Sequence, residues 1–138
     1  MARILALDYG VKRTGVAVTD PLQIIATGLS TVETKQLFGF LRDYFMQEKV
    51  ECLVIGEPKN LDNTPSEISA EINRFITLFK EKYPAIAVKR VDERFTSVLA
   101  QQAILAAGKN KKARRDKAMV DKVSAVIILQ SYLSSVQK

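Results

Sequence analysis

Three short runs of β character crowd into the first 31 residues, and only then does the apolar period become helical. Ile4–Asp8 is apolar up to its final carboxylate, Thr14–Thr19 (TGVAVT) forms a second run, and Ile24–Thr31 a third behind the turn at Pro21. Runs this close can be joined only by tight turns, so they pair antiparallel as a meander. The pattern then alternates. Leu37, Leu41, Tyr44 and Phe45 share one helical face between about Thr34 and Glu48, and Cys52–Ile55 reads as a buried strand ending in Gly56. After a polar loop, Thr64, Pro65 and Glu67 signal the start of a helix carrying Ile68, Ile72, Phe75, Ile76 and Phe79, closed by Tyr83-Pro84. Ile86–Val91 is the last strand. A helix from Thr96 or Ser97 to Gly108 and another from about Ala118 to Ser135 complete the chain. A meander followed by strands joined through helices requires a mixed sheet. The expectation is an α/β fold whose five-stranded sheet, an antiparallel meander plus parallel strands, is flanked by helices.

A length of 138 residues with 47% hydrophobic content suits one domain spanning 1–138. No uncharged apolar run approaches the length of a membrane span, and MARILALDYG lacks the layout of a signal peptide. Cys52 is the only cysteine and lies within CLVI, so it reads as a small buried hydrophobe in a reducing compartment. A cytoplasmic location without membrane attachment is expected. The net charge of +6 favours an anionic partner, foremost nucleic acid. Clustering sharpens this: the segment 109–117, KNKKARRDK, packs six of the 21 basic residues into nine positions. Lys111, Lys112, Arg114, Arg115 and Lys117 are its candidate phosphate contacts, with a solvated loop as the plainer alternative.

Ligands of such sheets gather beyond the carboxyl ends of the parallel strands, where Asp8, Gly56 and Asp92-Glu93 fall. Asp8 follows ILAL without a polar transition, so its carboxylate must be hydrated, hydrogen-bonded or bound to a cation. A turn Asp capping Tyr9-Gly10 would satisfy it equally. Glu93 sits in VDERF, where an acid–arginine ion pair supporting the strand end is the plain reading, stronger for Asp92 and Arg94 than for Glu93. Asp121 lies on an apolar helix, on the face of Ser124, Ala125 and Ile128, with Lys117 one turn earlier as the plain salt-bridge partner. Each acid alone says little; three at one edge, Asp8, Glu93 and Asp121, make a metal site. With no histidine in the chain, the donors are oxygens and select Mg²⁺ or Mn²⁺, as a pair suited to phosphodiester hydrolysis. Lys12 and Arg13 stand between two glycines in GVKRTG, beside Asp8, and Asn60 lies in the loop GEPKNLDNT. Both loops are candidates for holding substrate, against the default of ordinary solvated turns.

At these residues the chain resembles the YqgF/RuvX family, Holliday-junction-resolvase-like proteins also described as pre-16S rRNA nucleases. The resemblance runs nearly end to end, through LALDYGVKRTGVAVTD, VIGEPKNLDNT, VDERFTS and KAMVDKVSAVIILQSY. It implies a ribonuclease H-like fold, divalent-metal-dependent cleavage of structured nucleic acid, and a role in maturing the 5′ end of 16S rRNA on ribosomal precursor particles. The family's acids fall on Asp8, Glu93 and Asp121, with Asp92 and Arg94 beside the site. Departures are confined: Glu57 and Lys59 replace apolar residues and Asn63 a glycine in the middle motif, and Leu99 stands where relatives often carry a glutamate. Cleavage of branched DNA, or RNA binding without catalysis in ribosome assembly, stays open, as does the oligomeric state. The phosphate loop of actin-like ATPases is also similar to DYGVKRTGVAV, but the chain has room for only one of the two domains such proteins close over a nucleotide.

Overall fold

A computed structural model describes residues 2–57, 68–92, 100, 102–103 and 117–136 of the chain. The strands are β1 (Arg3–Asp8), β2 (Arg13–Thr19), β3 (Ala26–Glu33), β4 (Val50–Glu57) and β5 (Ala87–Asp92). A 3₁₀ turn at Thr34–Gln36 leads into α1 (Leu37–Gln47); α2 spans Ser69–Lys82 and α3 spans Lys117–Val136. The sheet order is β3-β2-β1-β4-β5, antiparallel among the first three strands and parallel from β1 to β4 to β5. The expected mixed sheet with flanking helices is the observed one. The helix expected over 96–108 lies largely outside the described residues, although Ala100 is helical and buried.

Alternation along the strands divides the interior into two layers. Leu5, Leu7, Val16, Leu53 and Ile55 point to one face and are covered by Leu37 and Leu41 of α1 and by Ile72, Phe75, Ile76 and Phe79 of α2. Ile4, Ala6, Ala17, Cys52 and Val54 point to the other, under Ala125, Ile128, Leu129 and Leu133 of α3. The second face is built from small residues. Ala6 is in register with Ala17, and Ala17 with Gly28, a row without bulk across three strands. The helix returns Ser124 and Ala125, both buried, so its axis sits close to the sheet. Gly15 marks the tightest point: a Cβ there would stand 2.0 Å from the Asp121 carbonyl oxygen. Ala118–Val136 reaches a mean hydropathy of 1.2, but Asp121 and Lys122 interrupt it and its buried stripe is taken by the sheet.

Among the boundaries that differ from those expected, two have a visible cause. The third strand begins at Ala26, not Ile24, because the Asp20 side chain draws the backbone into a turn. Its Oδ1 accepts from the amides of Ile24 and Ile25 and its Oδ2 from that of Leu22. These hydrogen bonds, Ile25's first, hold the Asp20 carboxyl below its usual range. They leave Ile24 and Ile25 exposed and Gln23 with a φ of 61°. The first helix begins at Leu37, because Thr34 is engaged elsewhere: its amide donates to the Lys12 carbonyl and its hydroxyl to that of Gly10.

The close approach at Gly15 gives the first prediction. Gly15→Ala forces α3 off the sheet, since the atom in the way is backbone; overpacking of this kind costs about 3 kcal/mol. Urea unfolding should show a lower midpoint with an unchanged slope, and wild-type stability would refute the close packing.

Candidate functional site

The working edge of the sheet is where β1, β4 and β5 end together. Leu7 is in register with Ile55, Ile55 with Arg90, and Glu57 with Asp92. Asp8 therefore closes β1 beside Gly56 and the end of β5, as the sequence pattern implied. Alternation assigns its side chain to the face of Ile4 and Ala6, the face that α3 covers. Its cross-strand partner is Gly15, the residue against which the Asp121 backbone rests. The missing side chain at Gly15 is thus what lets α3 carry Asp121 up to the strand that holds Asp8.

Asp121 is half-buried and its Oδ2 accepts from Arg13 Nε at 3.0 Å. Arg13 opens β2 two residues before Gly15, on the same face, so its guanidinium crosses the edge to meet the helix. The sequence offered Lys117 as the plain partner of Asp121, and that side chain lies outside the described residues; the partner among the described ones is Arg13, 108 residues away. That assignment gives Arg13 a role inside the protein. The guanidinium partly neutralises the Asp121 carboxylate and fixes its orientation. One turn along α3, the Ser124 hydroxyl is buried and has no hydrogen-bond partner among the described residues.

The turn between β1 and β2 is rigid. A Cβ on Gly10 would stand 2.3 Å from the Arg13 carbonyl oxygen, so only glycine allows so tight a return. Thr34 clamps the turn through its bonds to Gly10 and Lys12, and the buried Thr14 hydroxyl meets that of Thr34 at 2.9 Å. Beside the turn opens a cleft of about 500 Å³ lined by Val11, Lys12, Arg13, Glu33 and Lys35. Three of the five described residues that line it are cationic, and Lys35 lies 3.5 Å from Glu33. Sequence reasoning missed Lys35, which belongs to the site only because β3 and the 3₁₀ turn return beside the β1–β2 turn.

Glu93, Arg94, Asn60, Lys111, Lys112, Arg114 and Arg115 lie outside the described residues, as does the side chain of Lys117. Glu93 follows the last residue of β5 in the chain. Among the described residues no three acidic or sulfur side chains converge to hold a metal ion. The described part of the edge carries Asp8 and Asp121, with Glu57 and Asp92 at the neighbouring strand ends, an arginine tied to Asp121, and a basic cleft. Cys52 stays outside it, buried in the α3 layer, where burial pushes its thiol pKa up.

Comparison with known proteins places these residues in a wider set. Residues 2–135 match the family model described as "RuvX: Holliday junction resolvase". A protein of Christiangramia forsetii is 58% identical over 96% of this chain and 98% of its own length. One from Phocaeicola vulgatus is 57% identical over 98% of this chain and 97% of its own. One from Flavobacterium johnsoniae is 55% identical over 98% of both. Each of these three relatives bears the name "Putative pre-16S rRNA nuclease".

The Arg13–Asp121 pair is testable as a coupling. Arg13→Ala and Asp121→Asn should each destabilise modestly, and the double variant by less than their sum, with a coupling of about 0.5–1 kcal/mol for a half-exposed pair. Strict additivity would mean the pair contributes nothing.

Proposed function

The chain belongs to the RuvX family, whose fold is ribonuclease H-like, and from that premise we propose that it is a divalent-metal-dependent nuclease trimming the 5′ end of pre-16S rRNA. Membership of a nuclease family makes it a hydrolase acting on nucleic acid. The observation that carries the finer reading is the meeting of Asp8 and Asp121 at one edge through Gly15. Two carboxylates on a shared face, in a protein of net charge +6, are poorly suited to contacting phosphate by themselves. A binder without catalysis gains nothing from them.

The donor chemistry fits the ions expected. Asp8 and Asp121 offer hard oxygens, the chain has no histidine, and its one thiol is buried in the apolar layer. Asp8, Glu93 and Asp121 would together hold a pair of Mg²⁺ or Mn²⁺ ions, and Arg94 would stand next to them. Bound there, such ions supply Lewis acidity and ease deprotonation of water at neutral pH. The chain's own residues do the rest. Arg13 holds Asp121 in place and offsets its charge before substrate arrives. Lys12 and Lys35, from the basic cleft, orient the incoming phosphodiester, and the Thr34 clamp keeps Lys12 at the edge. The segment bearing Lys111, Lys112, Arg114, Arg115 and Lys117 extends the grip along the strand, and Asn60 contributes from the loop after β4. Its substrate would be met in the cytoplasm, on ribosomal precursor particles.

The decisive assay presents end-labelled pre-16S 5′-leader RNA beside a four-way DNA junction, with Mg²⁺, with Mn²⁺ and with chelator. We expect metal-dependent cutting of the RNA, lost in Asp8→Asn while binding persists. Cutting of the junction instead would make the chain a DNA resolvase, and full activity of Asp8→Asn would end the metal-site reading. Neutralising Lys111, Lys112, Arg114 and Arg115 together should weaken binding and flatten its salt dependence. The log–log slope should fall by ~0.7–0.9 for each phosphate that is no longer neutralised. An unchanged slope would make that segment a bystander.

A further inference from the structure

Asp8 and Tyr9 are adjacent, but the strand pleat sends them to opposite faces of the same edge. Tyr9 packs on the α1/α2 side, its ring centroid 5.3 Å from that of Phe75. Phe38 of α1 stacks on Phe75 at 4.9 Å, and Lys82 Nζ lies 5.4 Å from the Phe38 ring. Between these rings and Leu78 opens a cleft of about 260 Å³, with Glu71 and Arg74 of α2 at its rim. Leu78 remains 47% exposed although it borders aromatic rings. Both rim charges act on the Tyr9 phenol: after burial, Glu71 raises its pKa, and Arg74 opposes the rise. Neither Glu71 nor Arg74 has an ion-pair partner among the described residues.

The lining narrows the occupant. The volume is below the ~300–1,000 Å³ of whole small-molecule sites, so it suits one ring system. Aromatic and aliphatic walls favour a flat π-face, as in proteins that stack unpaired bases. A carboxylate at the rim rejects phosphate and demands donors. Among the bases, guanine presents two adjacent donors, N1–H and the N2 amino group, to one carboxylate. Adenine and cytosine set an acceptor beside their amino group, and uracil flanks its single N–H with carbonyls. Arg74 complements this by offering donors to the base's O6/N7 side or to its phosphate.

We propose that the cleft between Tyr9, Phe38, Phe75 and Leu78 takes one unpaired guanine of the substrate strand, read by Glu71 and placed next to the edge that holds Asp8. The inference rests on the chain acting on nucleic acid, and adds to that reading the base it selects.

Fluorescence anisotropy with labelled RNA hexamers, in chelator so that nothing is cut, tests it directly. UUGUUU should bind about tenfold more tightly than UUUUUU, UUAUUU or UUCUUU, the span of one bidentate base contact. Glu71→Gln, isosteric and lining the cleft, should bring the four affinities within about twofold of one another. Leu78→Ala should loosen all four, guanine most, and two-dimensional NMR should show Tyr9 and Phe38 ring resonances shifting on titration with 5′-GMP. Equal affinities in the wild type, or a guanine preference that survives Glu71→Gln, would overturn the proposal. A protein that cuts RNA but binds all four hexamers alike loses the subsite and keeps the nuclease. One that prefers guanine but cuts nothing keeps the subsite and loses the nuclease.

Discussion

Everything at the working edge depends on how close α3 lies to the sheet. Ala6, Ala17 and Gly28 form a row without bulk, and Gly15 removes the last obstacle, a Cβ that would stand 2.0 Å from the Asp121 carbonyl. Close packing of this kind is stiff, because protein interiors hold few voids into which a helix could shift. The position of Asp121 is therefore set by backbone contact and not by its own side chain. A helix seated on larger residues would stand farther out, and the reach from α3 to the end of β1 would lengthen with it.

That proximity creates an electrostatic problem and one answer to it. Like charges brought to one edge, from the end of β1 and from α3, would repel each other in the absence of a counter-charge. Arg13, projecting from the same face of β2, meets Asp121 at 3.0 Å and relieves part of the repulsion. Half-exposed pairs contribute little to stability, so its importance is in orientation. On the nuclease reading, the guanidinium keeps the Asp121 carboxylate ordered until a cation shares the load. On that reading Arg13 acts first on the protein, and Lys12 and Lys35 are left to meet the phosphate.

The strands, their succession along the chain and the edge that gathers Asp8 and Asp92 were legible because alternation and run length report burial directly. The face of Asp121 was legible for the same reason: Ser124, Ala125 and Ile128 are small or apolar at helical spacing, and all three are buried. What escaped was tertiary or local competition. Nothing within one turn of Asp121 points to Arg13, since the pair spans 108 residues and exists only once α3 crosses β2. Ile24 and Ile25 look like strand residues, yet three amides bond to the Asp20 carboxylate and hold them in a turn. Lys35 gave no signal beyond an exposed lysine after a strand. Glu93, Asn60 and most of the basic segment fall outside the described residues, so their part in the site rests on sequence and on the family.

The pleat of β1 has a further consequence for how such an edge can work. Consecutive residues of a strand face opposite ways, so Asp8 and Tyr9 put a carboxylate and an aromatic ring on the two sides of one strand end. The α3 side is lined with acids and basic groups; the α1/α2 side carries rings, a carboxylate and a guanidinium. A strand of nucleic acid crossing the edge would meet charge on one side and flat apolar surface on the other, matching its own division into phosphate and base. Separating the two tasks lets each side be tuned alone: a change on α2 alters which base is held without moving the acids. The separation also explains why the Thr34 clamp matters. It ties the β1–β2 turn to the start of α1 through Gly10 and Lys12, and so keeps the two sides in one fixed relation.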